Sequence, residues 1–411
     1  MSRDCQEIRQ DDTPLLLCDL TQSWSSVGGG VGTYLRAKRA HILDNSPHRH
    51  LMILPGTEDS IEESNGGRAI TAWIKSPLVP FSPHYRLLLR NRAVAQRLRH
   101  FLPDVIECQD AYNLPWAALR HRSAYPHTAL IAGYMTDFPT VYAERPFSKA
   151  VGKFLGEAAG RVCYRYLARL YPQFDAVYAL SEHGGAETLR SLGIDPVHIL
   201  PLGVELDDFG PHHRDPALRA SLGMTDDQPL LIYVGRMDIE KRPDIVVEAL
   251  RMLPPELGAK LVLLGQGPFK DQFEAEGDPR IVTPGFISDR AALARWLASS
   301  DIYVSAMPNE TFGISVIEAQ ASGLPVIGVS GGAMRERVHP GMGYLGPVGD
   351  AAAMASNIAR LWTEDVRAAG DKGRAHVAGE FSWAHSMEVL FGTVVPAALA
   401  RRSAAIDETV G

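Results

Sequence analysis

Two glutamates lie eight positions apart in the segment NETFGISVIEAQASGLPVIG, residues 309–328. A carboxylate can accept hydrogen bonds from two neighbouring hydroxyls, so Glu310 and Glu318 suit the hydroxyls of a sugar and of a ribose. Glu310 falls in a predicted loop. A helix is predicted to begin at Phe312-Gly313-Ile314, with its first N–H groups directed at a ligand. Stabilisation of the helix dipole would also explain Glu310 but explains Glu318 poorly, because its sequence neighbours are apolar.

Two cations flank a predicted strand-to-helix turn in YVGRMDIEKRPD, residues 233–244. Arg236 and Lys241 together could neutralise a diphosphate leaving group without a metal ion. Pro243 follows where a helix could begin. Solvated surface charge is the alternative, and Arg242 competes with Lys241 for the inward position.

A glycine-rich turn, SVGGGVGTYL at residues 26–35, follows the first predicted strand. Gly29 and Gly30 would let backbone N–H groups approach a diphosphate, and a helix N-terminus adds partial positive charge. The segment matches neither GxGxxG nor a P-loop. A tight turn that needs glycine for its geometry explains it equally well.

These motifs follow short apolar runs that alternate with helical patterns. Near-continuous apolar runs bounded by Gly and Pro predict parallel sheets covered on both faces. The predicted strands form two series: 15–20, 50–54, 69–74, 104–108, 128–134 and 175–180, then 230–235, 260–265, 280–285, 301–306 and 324–329. Two series predict an α/β chain of two Rossmann-like, doubly wound domains, whose ligands bind at the carboxyl ends of the strands. Pro and Gly cluster at the joint, 201–217, and only helices are predicted from residue 366 onward.

Composition narrows the class of protein. The 411 residues are 45% hydrophobic and 22% charged, with 41 basic and 48 acidic residues and a net charge of −7. These values are typical of soluble globular proteins and provide no global positive field for nucleic acid. The four cysteines have no zinc spacing and indicate reduced thiols. The polar N-terminus and the short apolar runs predict a cytoplasmic protein without a signal peptide or membrane span.

Taken in order, the motifs resemble the retaining GT-B glycosyltransferases of family 4, near the lipid-directed and mannosyltransferase-like branch. The resemblance rests on PLGVELDDF, GRMDIEKRPD, LGQGP, GFISDRAALARWLASSDIYVSA and Glu-x7-Glu, and it covers nearly the whole chain. It implies a GT-B fold with two domains facing a cleft. It also implies metal independence, with which the lack of Asp-x-Asp agrees, and front-face displacement in which the leaving phosphate takes the acceptor proton.

The resemblance also implies a role for each motif residue. Arg236 and Lys241 would bind the donor diphosphate, Glu310 the donor sugar and Glu318 the ribose. The remaining donor contacts would come from backbone or ring atoms of Gly29, Gly30, Phe286, Phe312, Gly313 and Ile314.

One position departs from the family pattern. In GYMTDFPTVY, residues 133–142, Met135 stands where close members carry a histidine that contacts the donor. A thioether cannot donate a hydrogen bond to a sugar oxygen. Thr136 or Asp137 could take over the role, the register could be shifted, or the chain could be an altered transferase. Asp137 could also orient or deprotonate an acceptor hydroxyl, although a turn or helix-cap role would explain it too.

Two basic segments suggest an anionic membrane surface. Arg86, Arg90 and Arg97 are predicted on one face of a helix within 83–102, and a second basic segment spans 145–169. A sheet-covering helix with a solvated face is the alternative. Acceptor-side candidates are Glu107, Gln109 and Asp110, which turn chemistry explains about equally well.

We therefore expect an enzyme that transfers a hexose from a UDP- or GDP-sugar to an acceptor hydroxyl, with retention. A membrane lipid is the first expected acceptor, and a soluble or polysaccharide-precursor acceptor is the rival. A non-catalytic nucleotide-sugar binder is the alternative that Met135 raises. The predicted domains are 1–205 on the acceptor side, 206–380 on the nucleotide-sugar side, and a helix in 381–411 that crosses back. The protein is expected in the cytoplasm, peripheral on the inner membrane if its acceptor is a lipid.

Overall fold

A computed structural model describes residues 13–25, 29–79, 82–144, 148 and 152–410. Its strands lie where the apolar runs predict them, with five additional strands: a short antiparallel edge strand, the two strands of a small hairpin and two further short strands. The strands are β1 Leu16–Leu20, β2 Arg49–Gly56, β3 Ser60–Ser64, β4 Ala69–Lys75, β5 Leu78–Val79, β6 Ser82–Arg86, β7 Val105–Cys108, β8 Ala129–Tyr134, β9 Ala176–Ala179, β10 His198–Ile199, β11 Leu230–Val234, β12 Lys260–Leu264, β13 Ile281–Gly285, β14 Ile302–Val304, β15 Val326–Val329 and β16 Gly343–Gly346.

The strands form two large sheets. The first has the order β10-β9-β8-β7-β1-β2-β4-β3, and the second has the order β13-β12-β11-β14-β15-β16. In the second sheet the pairings are parallel throughout, and in the first the paired edge strand β3 is antiparallel to β4. These pairings confirm the predicted parallel α/β architecture. The physical reason is that helical crossovers cover both faces of a parallel sheet, so its strands can be apolar on both sides.

Helices connect and cover the strands. They are α1 Gly30–Asn45, α2 Asn91–Phe101, α3 Leu114–Ala124, α4 Lys153–Leu170, α5 Glu187–Ser191, α6 Pro216–Ser221, α7 Pro243–Met252, α8 Pro268–Glu276, α9 Arg290–Ser299, α10 Ile314–Ala321, α11 Met334–Arg337, α12 Ala351–Trp362, α13 Val366–Glu380, α14 Trp383–Val389 and α15 Val395–Val410. As predicted, helix α7 begins at Pro243, and the described chain from 366 onward contains helices and no strand.

The chain divides into two compact units. The first comprises the described residues of Met1–Tyr134, Arg169–Val177 and Phe391–Gly411, and the second those of Met135–Ala168 and Tyr178–Leu390. The predicted boundaries at residues 205 and 380 stay predictions. The core of the second unit packs helices α7 and α12 against strands β11, β12, β14 and β15 through fully buried side chains such as Val246, Leu263 and Ile358.

The prediction that Arg86, Arg90 and Arg97 share one helical face is wrong. Arg86 ends strand β6 and donates to the Ser76 carbonyl, while Arg90 precedes helix α2 and pairs with Asp59. Of the three arginines, Arg97 alone lies in the helix. The hairpin breaks the helical periodicity on which the prediction relied.

Within the described residues, the helical stretch Val366–Glu408 is long and apolar enough to span a bilayer by length and composition alone. Core helices of globular proteins pass the same test. Because Phe381 and Ser382 interrupt the stretch, it consists of several helices.

Candidate active site

The second unit brings together a cation and a carboxylate from two of its strand-to-helix loops. Lys241 follows β11, and Glu310 follows β14, the neighbouring strand of the sheet. Lys241 Nζ lies 2.9 Å from Glu310 Oε2, with 23% and 10% of the two side chains exposed. The inward cation of GRMDIEKRPD is thus Lys241, because Arg242 pairs instead with Asp244, 2.8 Å away.

Arg236 is held by the acidic residues of its own motif. Its Nη1 donates to Asp238 Oδ2 and its Nη2 to Glu240 Oε2, both at 2.6 Å. Glu240 is buried, whereas the side chain of Arg236 is 61% exposed. The guanidinium is therefore oriented yet accessible, and an incoming anion could exchange with these two carboxylates.

The loop that carries Glu310 is fixed by backbone contacts. A Cβ at Gly332 (φ +50°) would lie 2.4 Å from the Glu310 carbonyl oxygen, and one at Gly184 would lie 2.4 Å from that of Thr311. The Ser181 hydroxyl donates to the Thr311 carbonyl at 2.9 Å. Only glycine allows two chain segments to approach this loop so closely, so the position of Glu310 is set before any ligand arrives.

Helix α10 begins directly after this loop. Its N-cap is Gly313 at φ +84°, without a side-chain cap. The Gly313 carbonyl accepts from the Val316 amide at 3.0 Å, so Ile314 and Ser315 are the first-turn residues whose amides have no intrahelical acceptor. Phe312 is buried beneath the Arg337 guanidinium, 4.3 Å from its ring centroid. Arg337 Nε also donates to the Phe312 carbonyl at 2.9 Å. The helix start predicted from the sequence is confirmed, and the Phe312 side chain serves packing.

Glu318 is a buried carboxylate one turn into α10. Burial raises its pKa to about 7, although the charge of Arg290 and its hydrogen bond act in the opposite direction. Arg290 Nη2 lies 3.2 Å from Glu318 Oε1, and the guanidinium stacks 4.7 Å from the Phe209 ring centroid. The sequence does not identify Arg290 as a partner of Glu318, because the two residues are 28 positions apart and no local pattern connects them.

The structure also gives Asp137 a partner that the sequence did not suggest. Tyr164 in α4 donates its hydroxyl to Asp137, with O···O distances of 2.9 and 3.2 Å. Burial and the nearby Asp137 charge raise the Tyr164 pKa, so the phenol stays a donor. Met135 has a buried side chain, and its carbonyl accepts from Thr311 Oγ1 at 3.2 Å.

The donor and acceptor candidates predicted in the first unit lie at three places. Asp110 is buried, and its carboxylate accepts from the Thr21 hydroxyl and the Gln22 amide. Gly29 (φ +112°) is the N-cap of α1, and Gly30 is the first residue of that helix. Glu107 belongs to a buried network in which Lys38 Nζ lies 2.6 Å from Glu107 Oε2 and 2.9 Å from Asp19 Oδ1. Gln109 donates to the same two carboxylates.

Two remaining predictions concern the nucleotide base and metals. Phe286 follows β13 and is 47% exposed as a residue. Across the part of the chain that the structure describes, no cluster of three or more His, Cys, Asp or Glu has metal-binding geometry.

Comparison with known proteins decides the family. Residues 28–208 match the model of "Glycosyltransferase Family 4", and residues 228–364 that of "Glycosyl transferases group 1". The GDP-mannose-dependent alpha-(1-6)-phosphatidylinositol dimannoside mannosyltransferase of Mycobacterium tuberculosis (strain ATCC 25177 / H37Ra) is 30% identical over 288 residues, 69% of this chain and 71% of that protein. The chain belongs to glycosyltransferase family 4. It is a glycosyltransferase, as the motifs predict.

Two further comparisons agree with this family 4 assignment. A GDP-mannose-dependent alpha-mannosyltransferase of Mycobacterium tuberculosis (strain CDC 1551 / Oshkosh) is 30% identical over 312 residues, 75% of this chain and 78% of that protein. Sucrose-phosphate synthase from Thermosynechococcus elongatus matches 93% of this chain and 100% of its own, with a TM-score of 0.73 at 21% identity. The structural likeness confirms the predicted GT-B fold.

Proposed function

We propose that this family 4 enzyme transfers a hexose from a nucleotide-sugar donor to an acceptor hydroxyl, with retention at the anomeric carbon and without a metal ion. The observation that carries the proposal is the contact of Lys241 with Glu310, 2.9 Å apart at the ends of adjacent strands. A cation can bind the diphosphate of an activated sugar, and a carboxylate can accept from the sugar hydroxyls.

The donor diphosphate would lie between Arg236 and Lys241. As the bond to the sugar breaks, negative charge grows on the leaving phosphate, and both cations stabilise it more in the transition state than before. Both already contact carboxylates, so donor binding would exchange intramolecular partners for phosphate oxygens. Because the phosphate must displace the carboxylates of Asp238, Glu240 and Glu310, their negative charge should weaken donor binding.

The other groups would fix the sugar, the nucleoside and the diphosphate. Glu310 would accept from sugar hydroxyls, Glu318 from ribose hydroxyls, and Phe286 would contact the base. Amides at Gly313 and Ile314, with backbone atoms of Phe312, would donate to sugar or phosphate oxygens, and Gly29 and Gly30 would contact the diphosphate. GDP-mannose is the first donor to test, because the two mannosyltransferase relatives carry GDP-mannose in their names. UDP-sugars are the alternative.

For the acceptor we propose a membrane lipid, with the hydroxyl oriented or deprotonated by Asp137. Tyr164 supports this role, since its hydroxyl holds the Asp137 carboxylate in one orientation. The relative that acts on a phosphatidylinositol dimannoside also favours a lipid. A soluble acceptor and a non-catalytic nucleotide-sugar binder are the rival functions, and the latter is motivated by Met135.

Incubation with a panel of nucleotide sugars, with and without lipid extract, separates these functions. Nucleoside diphosphate release together with a glycosylated lipid whose anomeric configuration matches the donor, unaffected by EDTA, is the expected result. Lys241→Ala and Glu310→Ala should abolish transfer, while Arg251→Ala, at the far end of α7, should retain it. Binding without release would leave a non-catalytic binder, and unchanged transfer by Lys241→Ala would refute the site.

A further inference from the structure

The outer face of helix α4, Lys153–Leu170, carries three apolar residues that are more than half exposed. Phe154 is 75% exposed, Leu155 52% and Val162 61%. Scattered single apolar residues are normal on a protein surface. Three on one side of one helix form a patch, which calls for a binding partner.

Arginines are interleaved with these apolar side chains. At about 100° per residue, Arg161 and Arg165 fall in the same arc of roughly 120° as the three apolar residues, and this arc contains no acidic residue. Both arginines are exposed, whereas Gly156, Gly160 and Leu167 on the opposite side are buried. Glu157 lies at the margin, with its carboxylate 3.9 Å from Lys153 Nζ. We call Phe154, Leu155, Arg161, Val162 and Arg165 the docking face.

We propose that the docking face binds the surface of an anionic lipid bilayer. An amphipathic helix with basic residues beside exposed aromatic and aliphatic side chains lies in the bilayer interface, apolar groups inserted and cations at the headgroups. The chain as a whole carries a net charge of −7, so a local basic face is needed for attraction to anionic lipid. This helix belongs to the second predicted basic segment, 145–169, of which residues 145–147 and 149–151 lie outside the described residues. The first predicted surface, at Arg86, Arg90 and Arg97, is separated by the fold.

The same helix reaches the proposed acceptor site. Tyr164, on the flank of α4, donates to Asp137, so docking would place a residue that orients Asp137 next to the membrane. Bilayer binding itself is independent of the proposed transfer reaction, because it needs neither donor nor acceptor. Its failure would therefore leave the proposed function standing.

Flotation of the full chain with vesicles tests the proposal. The expected result is binding to vesicles of equal parts phosphatidylglycerol and phosphatidylcholine, weakened by salt, and little binding to phosphatidylcholine alone. Each arginine near an anionic surface contributes about 1 kcal/mol, so Arg161→Gln with Arg165→Gln should lower partitioning about 30-fold. Phe154→Ser should lower it about tenfold.

Matched variants make the result specific. Arg161→Lys with Arg165→Lys should retain binding, because charge rather than guanidinium geometry drives it. Arg92→Gln with Arg99→Gln removes the same charge from exposed positions of α2 and should bind as the unchanged chain does. The proposal is overturned if the unchanged chain does not float, or if the α4 and α2 double variants behave alike. It is also overturned if the chain is a dimer that Phe154→Ser converts to a monomer, since the face would then bind a second copy.

Discussion

Replacing Glu318 with glutamine should stabilise the folded chain above neutral pH and weaken donor binding at the same time. Glu318 as a residue is 5% exposed, and burial raises its pKa to about 7 against an ordinary value of 4.5. The folded state therefore holds this proton more tightly than the unfolded state. Stability from the group is fully present below pH 4.5 and is lost as pH rises through 7.

The magnitude follows from the pKa difference. A shift of about 2.5 units corresponds to about 3 kcal/mol for burying the ionised form, at 1.36 kcal/mol per unit. Glutamine has the same shape, stays neutral and can still accept from Arg290. Glu318→Gln should therefore raise the free energy of unfolding by about 3 kcal/mol at pH 8, by about 1 kcal/mol at pH 5 and by almost nothing at pH 4.

Urea unfolding of the unchanged chain and the variant across this pH range measures the difference. Glu310→Gln is the matched control, because the Lys241 ammonium lies 2.9 Å from that carboxylate and stabilises it. Replacing the Glu310 carboxylate should therefore not raise the free energy of unfolding. The same Glu318 variant should raise the KM for the donor, since an amide accepts more weakly from ribose hydroxyls. A stability difference that does not change with pH would refute the reasoning.

Three further outcomes are expected. Glu240→Gln frees Arg236 from one carboxylate and should lower the KM for the donor several-fold in steady-state kinetics; an unchanged or higher KM would contradict the exchange of partners. Tyr164→Phe removes the donor to Asp137 and should reduce kcat and shift its pH profile, with donor binding by calorimetry unchanged; an unaltered profile would remove Asp137 from the reaction. Lys38→Met leaves Asp19 and Glu107 buried without their cation and should lower the free energy of unfolding in urea by about 3–5 kcal/mol. Lys75→Met, at an exposed position, should lower it by almost nothing, and equal losses in the two variants would contradict the role of the buried network.

The fold was largely predictable because its central strands are apolar on both faces. Runs such as LLIYV and KLVLL admit little except a buried parallel strand, and both lie where predicted. Strand β3 was missed because SIEES is polar and exposed at a sheet edge, and β16 because GYLG carries two glycines. Pairing with a neighbouring strand, rather than composition, creates these two strands.

The residues of the candidate site could be proposed from the sequence, but the contacts between them could not. Local sequence is enough to suggest the binding chemistry, through the spacing of Glu310 and Glu318 and through the two cations before Pro243. The partners do not lie nearby in sequence: Lys241 and Glu310 are 69 positions apart, and Tyr164 and Asp137 are 27 apart. The choice of Lys241 over Arg242 as the inward cation depends on the left-handed conformation of Arg242 (φ +53°), which no propensity would favour.

The central claim is that Arg236 and Lys241 bind the diphosphate of an activated sugar. Calorimetric titration of the full chain with GDP and with UDP, for the unchanged chain, Arg236→Ala, Lys241→Ala and Arg251→Ala, tests it directly. We predict that one diphosphate binds the unchanged chain and Arg251→Ala equally, and that each of the other two variants binds it at least tenfold more weakly, a loss of about 1.4 kcal/mol or more. Equal affinity in all four proteins would contradict the account.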